Sequence, residues 1–182
     1  MGYTTDFDGQ INLSKPLTEE QAHYIQKFSE TRRMGRNAAL CQNFDDPVRE
    51  MVGLPIGTEG EFCVFDYGRS SDPTILDHNK PPSTQPGLWC QWVPSDDNSA
   101  IVWDGNEKFY YYFEWLTYIH DNMLAKWGIT FTAEERLSYQ GEEDDDNGEI
   151  YVDGGALVMS DGQGFNTKHE LTIVVDNFEG DK

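Results

Sequence analysis

All five tryptophans of this 182-residue chain lie between residues 85 and 127, in QPGLWCQWVPSDDNSAIVWDGNEKFYYYFEWLTYIHDNMLAKW. Aromatic surface this dense has to be buried, and a folded core is where it goes. The stretch predicts two apolar strands, 88–93 and 100–103, feeding a long helix. Phe109, Tyr112, Phe113, Leu116, Ile119 or His120, Met123 and Trp127 recur at helical spacing, with Asp104 as the cap and Gly128 as the stop. Trp89, Trp92, Trp103, Phe109, Phe113 and Leu116 are the expected core. A second stripe, Tyr111, Trp115 and Tyr118, falls off that face. It is either covered by the 68–87 loop or forms a partner-binding surface.

The rest of the chain supplies elements to pack around this region. Residues 3–13 alternate apolar and polar, which predicts one half-buried strand with a bulge at Gly9. Thr18 and Gln21 form a capping box, and Ala22, Ile25 and Phe28 make the buried stripe of a first helix. DDPVREMVG suits a short helix with Pro47 in its first turn. EFCVFDY, 61–67, reads as a strand. Further strands are expected near 129–140, 148–153, 156–160 and 171–175, with Gly154 and Gly155 making a tight hairpin. Consecutive strands on short turns predict an α+β fold, a mainly antiparallel sheet with two principal helices packed against it. A single domain is expected over 1–182, with its core in 1–160 and a strand plus frayed tail in 161–182.

Charge narrows the function classes. The formal net charge is −20, of which residues 134–182 carry −11 while residues 1–40 are neutral. Such a chain repels nucleic acid and anionic membrane, so direct contact with either is not expected. A basic protein surface is the expected partner, including one that normally holds DNA or RNA. No apolar run is long enough to cross a membrane, and the first ten residues carry no basic-then-apolar leader. Cys41, Cys63 and Cys90 lack metal-like spacing and read as reduced thiols, so a cytoplasmic location is expected. No metal or cofactor is expected either. His23, His78, His120 and His169 have no zinc spacing, and the chain has no recognised phosphate loop or nucleophile elbow.

Two charged groups join the aromatic stripe as candidate sites. Glu142, Glu143, Asp144, Asp145 and Asp146, with Glu149 close behind, form an acidic run. No register of it gives the glycine that a helix–loop–helix calcium loop needs. The run is therefore a solvated hairpin tip or a patch for a basic partner. Lys27, Arg32, Arg33 and Arg36 fall within ten residues. Arginine forks suit phosphate or carboxylate, so this cluster is an anion-binding candidate or pairs with the chain's own carboxylates. Asp104 and Glu107 beside Trp103 have the residue types of a sugar-cleaving site, but helix capping explains both.

GYTTDF, FSETRRM, NKPPSTQPGLWCQWVP, WDGNEKFYYYFEWL and the closing QGE…DNGEIYV resemble a set of small bacterial and phage proteins with no assigned activity. The resemblance covers most of residues 1–160. It implies a compact protein of bacterial or phage origin and implies no active site. Two readings of function follow. The first is a non-catalytic acidic binding protein, in its sharper form a phage-type inhibitor that imitates nucleic acid. The second is a small-molecule or nucleotide-processing enzyme built on the 32–36 arginines and the 77–92 loop.

Overall fold

The computed structural model describes residues 2–65 and 72–173. The alternating N-terminal stretch is divided in two. β1 spans Asp6–Gly9 and β2 spans Ile11–Asn12, and they belong to different sheets. The break is at Gly9, with φ of 97°, where an added Cβ would stand 2.3 Å from the Arg136 carbonyl oxygen. Glycine alone fits that conformation and that approach, so the chain changes sheets there.

Helix α1, Glu19–Glu30, opens on the expected capping box between Thr18 and Gln21. It buries Tyr24, Ile25, Phe28 and Ser29. β3, Gly35–Arg36, leads into two short helices, α2 at Ala38–Cys41 and α3 at Pro47–Met51. β4, Ile75–Asp77, returns to pair antiparallel with β3.

Residues 61–65 are buried but are not a strand; 66 and 67 lie outside the described residues. Side chains take up several of this segment's backbone groups, so no ladder is needed. Tyr24 donates to the Phe62 carbonyl at 2.8 Å, Asp46 accepts from the Val64 amide at 3.0 Å, and Arg33 reaches the Glu61 and Cys63 carbonyls.

The first apolar strand of the tryptophan region is shorter than expected. β5 covers Trp92–Pro94, and β6 covers Ala100–Trp103. With β2 they form a three-stranded antiparallel sheet in the order β2-β6-β5. Trp92 is fully buried, but Trp89 and Trp103 are half-buried, because Trp89 precedes the strand and lies at the surface.

The aromatic helix begins seven residues later than an Asp104 cap implies. Asp104 instead accepts from the Asn106 amide at 2.9 Å, which closes a local turn. Gly105, Lys108 and Tyr111 all have left-handed φ, which breaks any helix through 105–111. Helix α4 is Tyr112–Ile119, continued by a π turn at His120–Leu124 and a 3-10 turn at Ala125–Trp127. Gly128 ends it in the left-handed conformation, as its position predicts.

The C-terminal half builds the larger sheet. β7 is Leu137–Gln140, β8 Asn147–Asp153, β9 Ala156–Asp161 and β10 Asn166–Glu170. They pair antiparallel in the order β1-β7-β8-β9-β10. Among the described residues the last strand is 166–170, which the sequence does not signal. Asp161 accepts from the amides of Gln163 and Phe165, which turns the chain back before the apolar LTIVV run begins. Residues 171–173 have no regular structure, and 174 and 175 lie outside the described residues.

The architecture is therefore α+β, with antiparallel sheets and helices packed against them. The core is continuous from α1 through β5 and α4 to the inner face of the five-stranded sheet. Phe7 illustrates the joint, packing edge-on to Trp92 at 5.1 Å and to Tyr112 at 4.9 Å. His120 is a satisfied core histidine, with Nε2 2.9 Å from Thr130 Oγ1 and Nδ1 3.0 Å from Asp121. Asp121 also meets His169 at 2.7 Å, which ties β10 to the end of the helix.

Candidate functional site

Side chains alternate across a strand, so the residues facing the core fix which ones face out. Leu137, Tyr139, Ile150 and Leu157 are buried on the inner face of the five-stranded sheet. Asp6, Asp8, Ser138, Gln140, Asn147, Glu149, Asp153, Lys168 and Glu170 therefore lie on the outer face, most of them exposed. The twisted sheet makes a shallow trough there, with a volume of about 580 Å³, and Asp6, Asp8, Glu149 and Asp161 are on its walls. Glu149 has a cationic partner, Arg136 at 2.8 Å, whose guanidinium also lies over the Tyr151 ring. Among the described residues no ion pair is made by Asp6, Asp8 or Asp153.

The acidic run stands at one end of this face, in the turn between β7 and β8, and its members differ in role. Tyr3 donates its hydroxyl to Asp146 at 2.5 Å, and the Thr4 amide donates to Glu142 at 2.7 Å. The Asp146 hydrogen bond, foremost, raises the Tyr3 phenol above its ordinary range. Glu142 and Asp146 thus clip the N-terminal segment to the turn. Glu143, Asp144 and Asp145 are exposed, and their side chains make no hydrogen bond among the described residues. The turn is more than a solvated tip.

The arginines do not converge. Arg33 is 2% exposed, donates to the carbonyls of Glu61 at 2.7 Å and Cys63 at 3.0 Å, and covers the Phe28 ring at 4.1 Å. Burial lowers its pKa. Arg36 is also buried, donating to Thr74 at 2.8 Å and pairing with Asp72. Arg32 donates to the His78 carbonyl at 2.9 Å. Lys27 is half-buried in the last turn of α1, where a cation suits the helix dipole. The three arginines tie residues 61–63 and 72–85 to the chain between α1 and β3. They do not line the trough on the sheet.

The aromatic stripe is also divided. Trp115 and Tyr118 are buried, and Tyr118 donates to Glu61 Oε1 at 2.7 Å. Neither presents a surface, because α4 is covered on both sides. Tyr111 is 57% exposed. It lies with Tyr110 and Trp89 on a groove of about 870 Å³ between the 79–91 segment and the 104–111 turns. Pro81, Pro86 and Leu88 complete its apolar wall, and Glu30, Asp104 and Glu107 supply its acids. The sequence signals Tyr111 and the 77–92 loop separately, but their juxtaposition depends on the left-handed turns before α4. Cys41 and Cys63 form a buried pair that spacing does not reveal. Cys63 hydrogen-bonds Cys41 and, against burial, brings the Cys41 thiol down to about 7.

No family model, curated protein or solved structure matches this chain.

Proposed function

We propose that this protein is a non-catalytic binding protein that engages a basic surface of a partner protein. The contact is the outer face of the five-stranded sheet together with Glu143, Asp144 and Asp145. One observation carries this reading: Asp6, Asp8, Glu149, Asp153 and Glu170 share one face with few cations among them. A concentrated field of one sign steers an oppositely charged partner and speeds association. Asp6 and Asp8 lie two residues apart on one strand, which separates them by about 7 Å. That separation resembles the spacing of successive phosphates, which supports the sharper form of the proposal, an inhibitor that imitates nucleic acid. The arginine donors taken by the chain's own carbonyls favour binding over anion-dependent catalysis. No helix among the described residues is long and apolar enough to cross a membrane. Three free buried thiols suit the reducing cytoplasm of a bacterial or phage-infected cell.

The test is affinity capture from bacterial lysate with three baits: wild type, Asp6→Asn/Asp8→Asn/Glu149→Gln, and a charge-matched control, Glu20→Gln/Asp96→Asn/Glu114→Gln. A basic partner should be retained by wild type and control, lost from the face variant, and released by salt. Equal retention by all three baits contradicts the proposal.

A further inference from the structure

The groove beside α4 has a chemistry distinct from the sheet face. Its aromatic rings are held outward: Tyr110 is 49% and Tyr111 57% exposed, beside half-buried Trp89. Most of its polar groups already have internal partners. Gln91 donates to the Glu107 carbonyl at 3.0 Å and accepts from Trp103 at 3.3 Å, and Asp104 holds Asn106. Asn79 faces Arg32. Three groups differ. The Glu107 carboxylate, the Tyr111 hydroxyl and the Lys108 ammonium have no hydrogen-bond or ion-pair partner among the described residues. The Trp115 indole nitrogen is buried with no hydrogen-bond partner among the described residues. It lies behind Gly87 on the groove wall, 3.7 Å from where a Cβ on that glycine would stand, beside Tyr111 Cδ2 at 3.3 Å from the same point.

We propose that this groove binds an extended, proline-containing peptide segment that carries a basic side chain. Exposed Tyr and Trp faces take the flat apolar surface of a proline in an already extended chain, which loses little entropy on docking. Glu107 and Glu30 attract an arginine or lysine, whose cation also gains from lying over a tyrosine ring. A sugar is disfavoured because both ends of the Gln91 amide and the Asn79 amide oxygen, which would read its hydroxyls, are already paired. An anionic ligand meets three carboxylates against one lysine, Lys108. The groove is separate from the acidic sheet face, and its occupation does not depend on the function proposed for that face.

The probe is a synthetic peptide of alternating proline and alanine with one central arginine, followed by tryptophan fluorescence and anisotropy. Saturable binding to wild type is expected. Tyr111→Ala should weaken it about tenfold, as for an aromatic anchor. Tyr111 is exposed, so this change leaves the core intact. Glu107→Gln should weaken the arginine peptide but not its alanine analogue, and Gly87→Ala should weaken both by crowding the groove wall against the Tyr111 ring, 3.3 Å from the added Cβ. Asp6→Asn/Asp8→Asn/Glu149→Gln should bind like wild type, which separates this site from the sheet face. Absence of saturable binding, indifference to Tyr111→Ala, equal affinity for the arginine and alanine peptides, or tighter binding of a neutral oligosaccharide such as cellohexaose would each overturn the proposal.

Discussion

At the scale of single residues, buried charge here organises the chain itself. Arg33 holds the Glu61 and Cys63 carbonyls inside a segment that has no ladder of its own. Removing one partner of a buried hydrogen bond strands the other, at roughly 1–3 kcal/mol for each group. Arg33→Met should therefore cost about 3 kcal/mol in urea unfolding, although the substitution keeps the site apolar and filled. A loss below about 0.5 kcal/mol would show that the segment is held by its phenylalanines alone. The four basic residues are plain in the sequence, but their destinations are not. The acceptors are backbone carbonyls about thirty residues away, and periodicity carries no record of them. Asp72 gives a pH test. Burial works to raise it, but hydrogen bonds from Thr74 and Arg36 outweigh burial and hold its pKa below the ordinary 3.8. A carboxyl lowered by folding stabilises fully above its unfolded pKa and loses that contribution as pH falls through the folded value. Between about pH 5 and pH 3, wild type should lose more stability than Asp72→Asn, measured by urea midpoints. Parallel losses would mean that the Asp72 contacts contribute nothing net.

At the scale of elements, the readable parts were those whose signal is local. The α1 capping box needs Thr18 and Gln21 and nothing distant, and it is present as spacing predicts. The β8–β9 hairpin follows from Gly154 and Gly155 in the same way. Where the reading failed, distant contacts or backbone conformation decided. Asp104 has the residue type of a helix cap, yet left-handed Lys108 and Tyr111 postpone α4 to Tyr112. Those same turns bring Tyr111 to the groove and leave Trp115 in the core. β10 is NTKHE, with no apolar alternation, because an edge strand can be formed by its ladder to β9 alone. The outer sheet face was legible only in fragments, since Asp6, Asp8 and Glu149 become neighbours through the β1–β7–β8 register. Gly9 fixes that register's beginning. Gly9→Ala places a Cβ against the Arg136 carbonyl at positive φ and should cost more than about 1 kcal/mol. The drop in melting temperature should come with loss of protection at the β1 amides. A melting curve matching wild type would mean that the chain passes between sheets without needing glycine.

At the scale of the whole molecule, the dominant quantity is the net charge of −20. Self-repulsion within one chain destabilises the compact state, and salt screens it with a Debye length of about 10 Å at 0.1 M. The melting temperature should rise between low and moderate ionic strength, as read by calorimetry. A fall over that range would mean that internal pairs such as Arg36–Asp72 outweigh the repulsion. The same charge should make partner association fast and salt-sensitive, provided it is concentrated where the sheet presents it. The most direct check on that claim is amide NMR shift mapping of the folded protein titrated with oligolysine. The account predicts shifts concentrated in β1, β7, β8 and residues 143–145, fading together as salt is added. Shifts spread evenly over the acids of α1, the 96–97 turn and the sheet would contradict it, because the charge would then be a diffuse property of the surface and not a binding face.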